Sequence, residues 1–387
     1  MQIRIEQILK VLLVLFLFLN VTLINVEIFG INIRYLVFIS ACFIAILVHS
    51  KGKHVDKKIM RSLALISLFA ILLFFYSVLF RGNKIENALW FIKPYFTLLS
   101  IPLFSILFRY YSVRKIIDYF IYTTLILSVY YILLIALLYY SPGIAFKVID
   151  LHGLTSLTVI NELPRLFLKT SVFFIPVFAY SLLYSKTTFQ RLLYSLLVLL
   201  QITCFLTFGY FFGVIIVLIL YFAYKGYTYN VIIVSLIILF CITTILIDLE
   251  SYFSPSKLYS INTKISQLIN GFTHDNVISF LFGDGIGAPI IGLDERNLKN
   301  DFVIEVSPVL IYKVGGVFGS LMIIFIYSSH AIIGYLKSLN SKNKEIAFLA
   351  ISQIGMLFAS VSNPYIWNGG TGILFVSMLI AALNKKT

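Results

Sequence analysis

The hydrophobic pattern of the chain is a series of long apolar runs separated by short polar segments. Residues 63–79 and 231–247, for example, contain no charged side chain. A helix of about 20 apolar residues crosses a hydrocarbon core of roughly 30 Å. In lipid the backbone must satisfy its hydrogen bonds internally, which favours helices. The pattern therefore predicts an all-α integral membrane protein, built as a polytopic bundle.

We predict about twelve transmembrane helices in a single domain that covers residues 1–387. The predicted spans are residues 10–29, 31–48, 62–80, 88–108, 117–139, 166–185, 191–208, 210–224, 230–248, 303–328, 346–361 and 367–383.

Two polar segments between these spans are much longer than turns. Residues 140–165 form the first large loop, and residues 249–302 form a second, later one. Loops of this length are uncommon unless they function or are disordered. Within the second loop, Leu258, Ile261, Ile265 and Leu268 recur at helical spacing. This spacing predicts an amphipathic helix that lies at the membrane interface.

The distribution of charge predicts the orientation of the bundle. Only 12% of residues are charged and 60% are hydrophobic, yet the net charge is +14. Eighteen of the thirty cations lie in the segments on one side of the predicted bundle, together with four of the sixteen acids. The positive-inside rule makes that side cytoplasmic, so both termini are predicted to be cytoplasmic. The excess charge then indicates attraction to anionic membrane lipid rather than to nucleic acid.

The cysteines give no sign of a metal site or a disulfide framework. Cys42, Cys204 and Cys241 all fall within predicted spans, without metal-ligand spacing. We read them as small apolar core residues and expect no bound metal and no cofactor.

Two cations at the start of the sixth span form the first candidate site. Arg165 and Lys169 are four residues apart, so on a helix they share one face. One interpretation is a clamp for phosphate or pyrophosphate, because arginine can contact two oxygens at once. The alternative is that both side chains extend to lipid headgroups.

The second large loop supplies the other candidates. Arg296 and, more weakly, Lys264 are candidate phosphate contacts, although Arg296 also suits a solvated charged loop. Glu305 lies at the start of the tenth span, one helical turn after Asp301. An ionisable residue inside a span is a functional hypothesis by default, and a partly desolvated carboxylate can act as a general base. The alternative is an ion pair, with Lys313 or Lys169.

A glycine run, Gly283-Asp-Gly-Ile-Gly287, lies in the same loop. It lacks the Lys-Ser/Thr pair of a P-loop and follows no predicted strand. We therefore interpret it as a flexible turn.

The late loop resembles the bacterial O-antigen and capsular polysaccharide polymerases, which are related to the O-antigen ligases. The residues that carry the resemblance are Leu281-Phe-Gly-Asp-Gly-Ile-Gly287, Asn300-Asp-Phe-Val-Ile-Glu305, Tyr312-Lys-Val-Gly-Gly-Val-Phe-Gly319 and Ser362-Asn-Pro364. The resemblance covers mainly residues 160–383.

The resemblance implies a glycosyltransferase of the C type in the bacterial inner membrane, with its large loops in the periplasm. Such an enzyme moves a growing glycan from undecaprenyl pyrophosphate onto a second lipid-linked repeat unit, and a chain-length regulator protein can be a further partner. Arg165 and Arg296 match the placement of the arginines that hold the pyrophosphate. If they stabilise the leaving group, no metal is needed. The ligases typically have a histidine as base, whereas this chain has Glu305.

Two other functions remain open at this point. One is a polysaccharide flippase or other transporter. Such proteins usually show repeated halves and a long central inner loop, whereas the central inner loop predicted here, residues 185–191, is short. An O-antigen ligase is the third possibility.

Overall fold

The computed structural model describes residues 5–22, 27–28, 31–49, 57–96, 98, 100–152, 155–160, 163–168, 171–205, 208–230, 233, 255–272, 276–289, 306–362 and 371–384. This part of the chain is mainly α-helical. It also contains two antiparallel hairpins, each of two strands.

The described residues of the amino-terminal half form nine helices and both hairpins. In chain order the elements are α1 (Ile5–Thr22), β1 (Glu27–Ile28), β2 (Ile31–Asn32), α2 (Ile33–His49), α3 (Lys57–Phe75), a π-helical turn (Tyr76–Phe80), α4 (Ile85–Phe96), α5 (Ser100–Tyr110), α6 (Val113–Tyr140), α7 (Pro142–His152), β3 (Thr155–Ile160), β4 (Leu163–Leu168), a 3-10 turn (Ser171–Phe173), α8 (Phe174–Tyr184) and α9 (Thr188–Phe205).

The carboxy-terminal half continues with α10 (Phe208–Lys225), α11 (Pro255–Gly271), α12 (Val277–Phe282), α13 (Ser307–Ser341), α14 (Lys344–Ala359), a 3-10 turn (Ser360–Ser362) and α15 (Thr371–Leu383).

Within the described residues, three helical stretches are long and apolar enough to cross a membrane by themselves. They are Leu63–Phe80, Val113–Tyr140 and Ser307–Ser341. Shorter apolar helices, such as Ser100–Tyr110 and Gly209–Lys225, accompany them. An association with a membrane is therefore indicated, while the count of twelve spans stays a prediction. The ninth predicted span falls almost entirely outside the described residues.

The start of the predicted sixth span is a strand rather than a helix. Arg165 lies in β4, where its backbone partner is Thr158 of β3. The prediction that Arg165 and Lys169 share a helical face is therefore wrong for Arg165, and Lys169 lies outside the described residues. Thr155, Thr158 and Val159 favour a strand because β-branched side chains suit a pleated sheet. Pro164 is tolerated because a two-stranded sheet has only edge strands.

The buried side chains of the described residues form two hydrophobic clusters. The larger joins α1, α2, α5 to α10, α14 and α15, with one residue of α13. The smaller joins α3, α4, α13 and the turn at Ile286, together with parts of α5 and α15. In the larger cluster α10 packs closely on α14, where Gly213 meets the backbone of Gly355. Small residues at such crossings are typical of helices that pack in membranes.

The outward faces of the long helices are apolar as well. Ile126 and Leu133 of α6 are 64% and 63% exposed, and Leu321 and Phe325 of α13 are each 61% exposed. Soluble monomers rarely expose apolar patches of this kind, so these faces fit contact with lipid.

Candidate functional site

The glycine run forms a tight turn after α12. Gly283, Gly285 and Gly287 have φ angles of 77°, 84° and 76°, a region that side chains with a Cβ rarely adopt. Their lack of side chains also lets other backbone segments approach. A Cβ added to Gly287 would lie 2.6 Å from the Ala88 nitrogen. The run is a turn, as predicted, and it is packed between α4 and α13.

Helix α13 bends where it meets this turn. Gly316 has φ 56° and ψ −157°, so the helical path is interrupted there. The Lys313 carbonyl accepts a hydrogen bond from the Asp284 nitrogen at 2.7 Å, and the Val314 carbonyl accepts one from the Gly285 nitrogen at 3.1 Å. In a straight helix these carbonyls would accept from residues 317 and 318. The kink thus gives the glycine turn a backbone docking place on α13.

Arg81 holds the other side of the turn. Its Nη2 donates to the Gly283 carbonyl at 2.9 Å and to Oδ1 of Asp284 at 3.0 Å, and it also contacts the Ser279 hydroxyl. The hydroxyl of Tyr76 donates to the same Gly283 carbonyl at 2.9 Å. Charge-assisted hydrogen bonds of this kind are stronger than neutral ones. Arg81 therefore fixes the end of the apolar α3 segment to the glycine turn.

Ser77 and Asn83 complete the attachment. The Ile286 nitrogen donates to the Ser77 hydroxyl at 2.8 Å, and Ser77 donates to the Leu73 carbonyl at 2.6 Å. The side-chain amide of Asn83 donates to the carbonyls of Asp284 and Ile286 at 2.9 and 3.2 Å. Ser77 lies in the π-helical turn, a type of turn that frequently occurs at functional sites. We call residues 76–83, 283–287 and 313–316 together the glycine junction.

The ion pair of the glycine junction is partly open to its surroundings. The Arg81 side chain is 21% exposed and that of Asp284 is 37% exposed. Within the described residues, Arg81 donates its hydrogen bonds from Nη2 alone. Its Nε and Nη1 therefore remain available, among the described residues, for an anionic ligand. A guanidinium is well suited to phosphate because its donors form a planar fork.

Aromatic side chains surround the junction on the α11–α12 side. Tyr312 of α13 has ring contacts with Phe272 and Phe280, with centroids 5.3 and 6.4 Å apart. Phe282 lies 5.6 Å from Phe318. The segment of α12 and the glycine turn is thus anchored to α13 by rings as well as by backbone.

The predicted amphipathic helix is present as α11, but its apolar face does not point into the protein. Ile265, Leu268 and Ile269 are 41%, 43% and 70% exposed, whereas Gln267 is buried. Gly271 packs directly against Val309 of α13. A helix that turns apolar side chains away from its own bundle is typical of an interfacial helix.

The predicted site residues are only partly described. Glu305, Arg296 and Lys169 lie outside the described residues, and the side chain of Arg165 does too. Lys264 is half-buried on α11. Sequence reasoning missed Tyr76, Ser77, Arg81, Asn83 and Asp284. One available signal was Arg81 itself, a cation directly after an apolar span.

A second arginine cluster lies elsewhere in the bundle. Nε of Arg114 pairs with Asp118 at 2.9 Å, and Nη2 donates to the Tyr180 hydroxyl at 2.8 Å. Tyr180 in turn donates to Asp118 at 2.8 Å. The guanidinium of Arg114 stacks 3.4 Å from the ring centre of Tyr184. This closed triangle of side chains ties α6 to α8, and we call it the Arg114 cluster.

The described residues contain no group of three or more histidine, cysteine, aspartate or glutamate side chains that could hold a metal ion.

Comparison with known proteins adds no family assignment. No protein-family model matches the chain, and no curated protein is significantly similar to it.

Proposed function

We propose that the chain is an O-antigen or capsular polysaccharide polymerase of the bacterial inner membrane. It would transfer a growing glycan from undecaprenyl pyrophosphate to a repeat unit on a second undecaprenyl pyrophosphate. The observation that carries the proposal is the glycine junction, because two of the sequence segments that resemble the polymerases, residues 281–287 and 312–319, are bonded to each other there.

The contacts between segments are consistent with the proposed orientation. Arg81 and the glycine run both belong to segments that the charge rule assigns to the periplasmic side, and they are in direct contact. Tyr224 is the last residue of the predicted eighth span, at its cytoplasmic end, and Lys342 belongs to a segment assigned to the cytoplasm. The Tyr224 hydroxyl donates to the Lys342 carbonyl at 2.9 Å. If the predicted orientation holds, segments on the same side of the membrane should contact each other, as these two pairs do.

Two described residues lie on either side of residues 290–305 in the chain. Ile286, shortly before them, and Val306, directly after them, belong to the same buried cluster. This closeness of the flanking residues supports the proposal that Arg296 and Glu305 act near the junction. Arg81 adds a cation there that sequence analysis did not consider.

The proposed reaction is a displacement at the anomeric carbon of the donor glycan. Glu305 takes the proton from the acceptor hydroxyl, whose oxygen forms the new glycosidic bond. The bond from the anomeric carbon to the phosphate oxygen breaks, and undecaprenyl pyrophosphate leaves with the electron pair. Arg165 and Arg296, with Lys169 and Lys264 as weaker candidates, would stabilise the negative charge of that leaving group. Arg81 is a further candidate for this role.

The test is the pattern of lipopolysaccharide chain lengths in a deletion strain that carries variants of the gene. We expect Glu305→Gln and Arg165→Ala to abolish long chains at unchanged protein level, leaving single repeat units on lipid A. Glu305→Asp should retain some activity if the carboxylate acts as base. Normal chain lengths in a variant would remove that residue from the site. A bare core in the deletion strain would instead indicate a ligase or an exporter and overturn the proposal.

A further inference from the structure

A groove of about 410 Å³ runs between α1 and α6, away from the glycine junction. Its walls are largely apolar and include Val11, Val14, Leu15 and Phe18 of α1, with Tyr119 and Thr123 of α6. Val11 is 65% exposed and Phe18 39%, so the groove opens to the outside of the bundle. Its volume lies in the range of roughly 300–1,000 Å³ that is usual for ligand sites.

The groove contains a cationic group beside its apolar walls. Lys10 and Tyr111 also line it. The Lys10 ammonium lies 4.4 Å from the ring centre of Tyr110 and 5.7 Å from that of Tyr111. The Lys115 ammonium lies 5.0 Å from the same Tyr111 ring. Two ammonium groups therefore flank one aromatic ring.

Among the acids whose side chains the structure describes, none pairs with either ammonium. The ion pairs between described side chains are Arg81–Asp284 and Arg114–Asp118. The acid closest in sequence to Lys115, Asp118, is thus already bound to Arg114. The aromatic rings attract the ammonium groups but do not neutralise their charge.

We propose that this groove binds an anionic glycerophospholipid. An acyl chain would lie along the apolar walls, and the phosphate would sit between Lys10 and Lys115. Amphipathic rings such as Tyr110, Tyr111 and Tyr119 suit the level of lipid headgroups. Both lysines fall in segments that the charge rule assigns to the cytoplasmic side, where anionic lipids attract basic residues. The lipid site does not depend on the proposed glycosyl transfer.

The experiment uses native mass spectrometry of the full-length protein in mild detergent. The protein is titrated with phosphatidylglycerol, with phosphatidylcholine and with a polyprenyl phosphate. We expect phosphatidylglycerol to bind most tightly. The double variant Lys10→Gln/Lys115→Gln should weaken it by about 25-fold, or about fivefold per lysine. The control Lys225→Gln/Lys337→Gln removes two other lysines outside the groove and should leave the affinity unchanged.

A second variant tests the apolar walls. Val11→Trp adds a bulky ring at an exposed groove position and keeps both lysines, so it should also weaken phosphatidylglycerol binding. If the control double variant lost as much binding as the Lys10/Lys115 variant, general surface charge would explain the affinity and the proposal would be overturned. Equal affinity for phosphatidylcholine, or a preference for the polyprenyl phosphate, would overturn it as well.

Discussion

The described part of the molecule holds two arginine–aspartate pairs with different structural roles. Arg81 and Asp284 are 203 positions apart, and the arginine holds the backbone of a glycine turn. Arg114 and Asp118 are four positions apart on one helix, and their partners are tyrosine side chains. The first pair fixes the route of a long loop, whereas the second ties two neighbouring helices. Similar ion-pair chemistry therefore serves loop placement in one region and helix packing in the other.

The difference lies mainly in what surrounds each arginine. The glycine junction depends on residues without side chains, because the Gly283, Gly285 and Gly316 backbones are in close contact with neighbouring groups. The Arg114 cluster depends on large rings, with Tyr180 and Tyr184 around the guanidinium. Each region should consequently fail through a different kind of substitution.

The largest effect is expected for Gly283→Ala. The added Cβ would lie 2.6 Å from the Gly315 nitrogen and closer still to the Val314 carbonyl, at a φ of 77°. Strain and overpacking together should cost about 3–5 kcal/mol of stability. Thermal unfolding of the purified protein in detergent measures the change.

Gly82→Ala is the matched control for Gly283→Ala. Gly82 has a similar φ of 67°, but nothing lies within 4 Å of an added Cβ. Only the backbone strain remains, about 1–2 kcal/mol. Equal losses of stability in the two variants would contradict the close packing of the glycine turn against α13.

The next largest effects on stability are expected for substitutions of the two arginines. Arg81→Gln should lower stability by about 2 kcal/mol, because it removes charge-assisted bonds to a backbone carbonyl and to Asp284. The value stays modest since Asp284 is 37% exposed. Arg114→Gln should cost about 1 kcal/mol, because Tyr180 still donates to Asp118.

Chain-length analysis sharpens this comparison. We expect Arg81→Gln to shorten or abolish the polymer at equal protein level, while Arg114→Gln leaves its length unchanged. Equal loss of polymer in both variants would mean that general stability, not the junction, controls activity.

The two tyrosine variants, which include the smallest effect, reverse the ranking of the two regions. Tyr180→Phe should cost about 1–2 kcal/mol, because its hydroxyl bonds to both Arg114 and Asp118. Tyr76→Phe should cost only about 0.5–1 kcal/mol, since Arg81 still donates to Gly283. Unfolding in parallel with the arginine variants measures both. A larger loss for Tyr76→Phe would contradict the distinction between the regions.

The local pattern of apolar residues was sufficient to predict some of the helices. Helix α6 was expected at residues 117–139 and extends over Val113–Tyr140, with Ser112 as its amino-terminal cap. Its long apolar run contains no competing signal. The Arg114–Asp118 pair also follows helical spacing, because residues four apart share a face.

The errors and omissions have non-local or competing causes. Arg165 was expected on a helix, but its segment instead pairs as a strand, with Arg165 opposite Thr158. The Gly315-Gly316 pair is visible in the sequence, yet the kink depends on a turn more than 25 positions away that bonds to α13. The partnership of Arg81 with Asp284 depends on how α3 and α13 pack, which no local spacing encodes.

The most direct measurement of the central claim is polymerisation by purified protein reconstituted into liposomes with undecaprenyl-pyrophosphate-linked repeat units. The proposed function predicts a ladder of longer lipid-linked glycans with the natural sequence, short products with Arg81→Gln, and no extension with Glu305→Gln. A folded, reconstituted protein that leaves the repeat units at their starting length would contradict the claim that this chain is a polymerase.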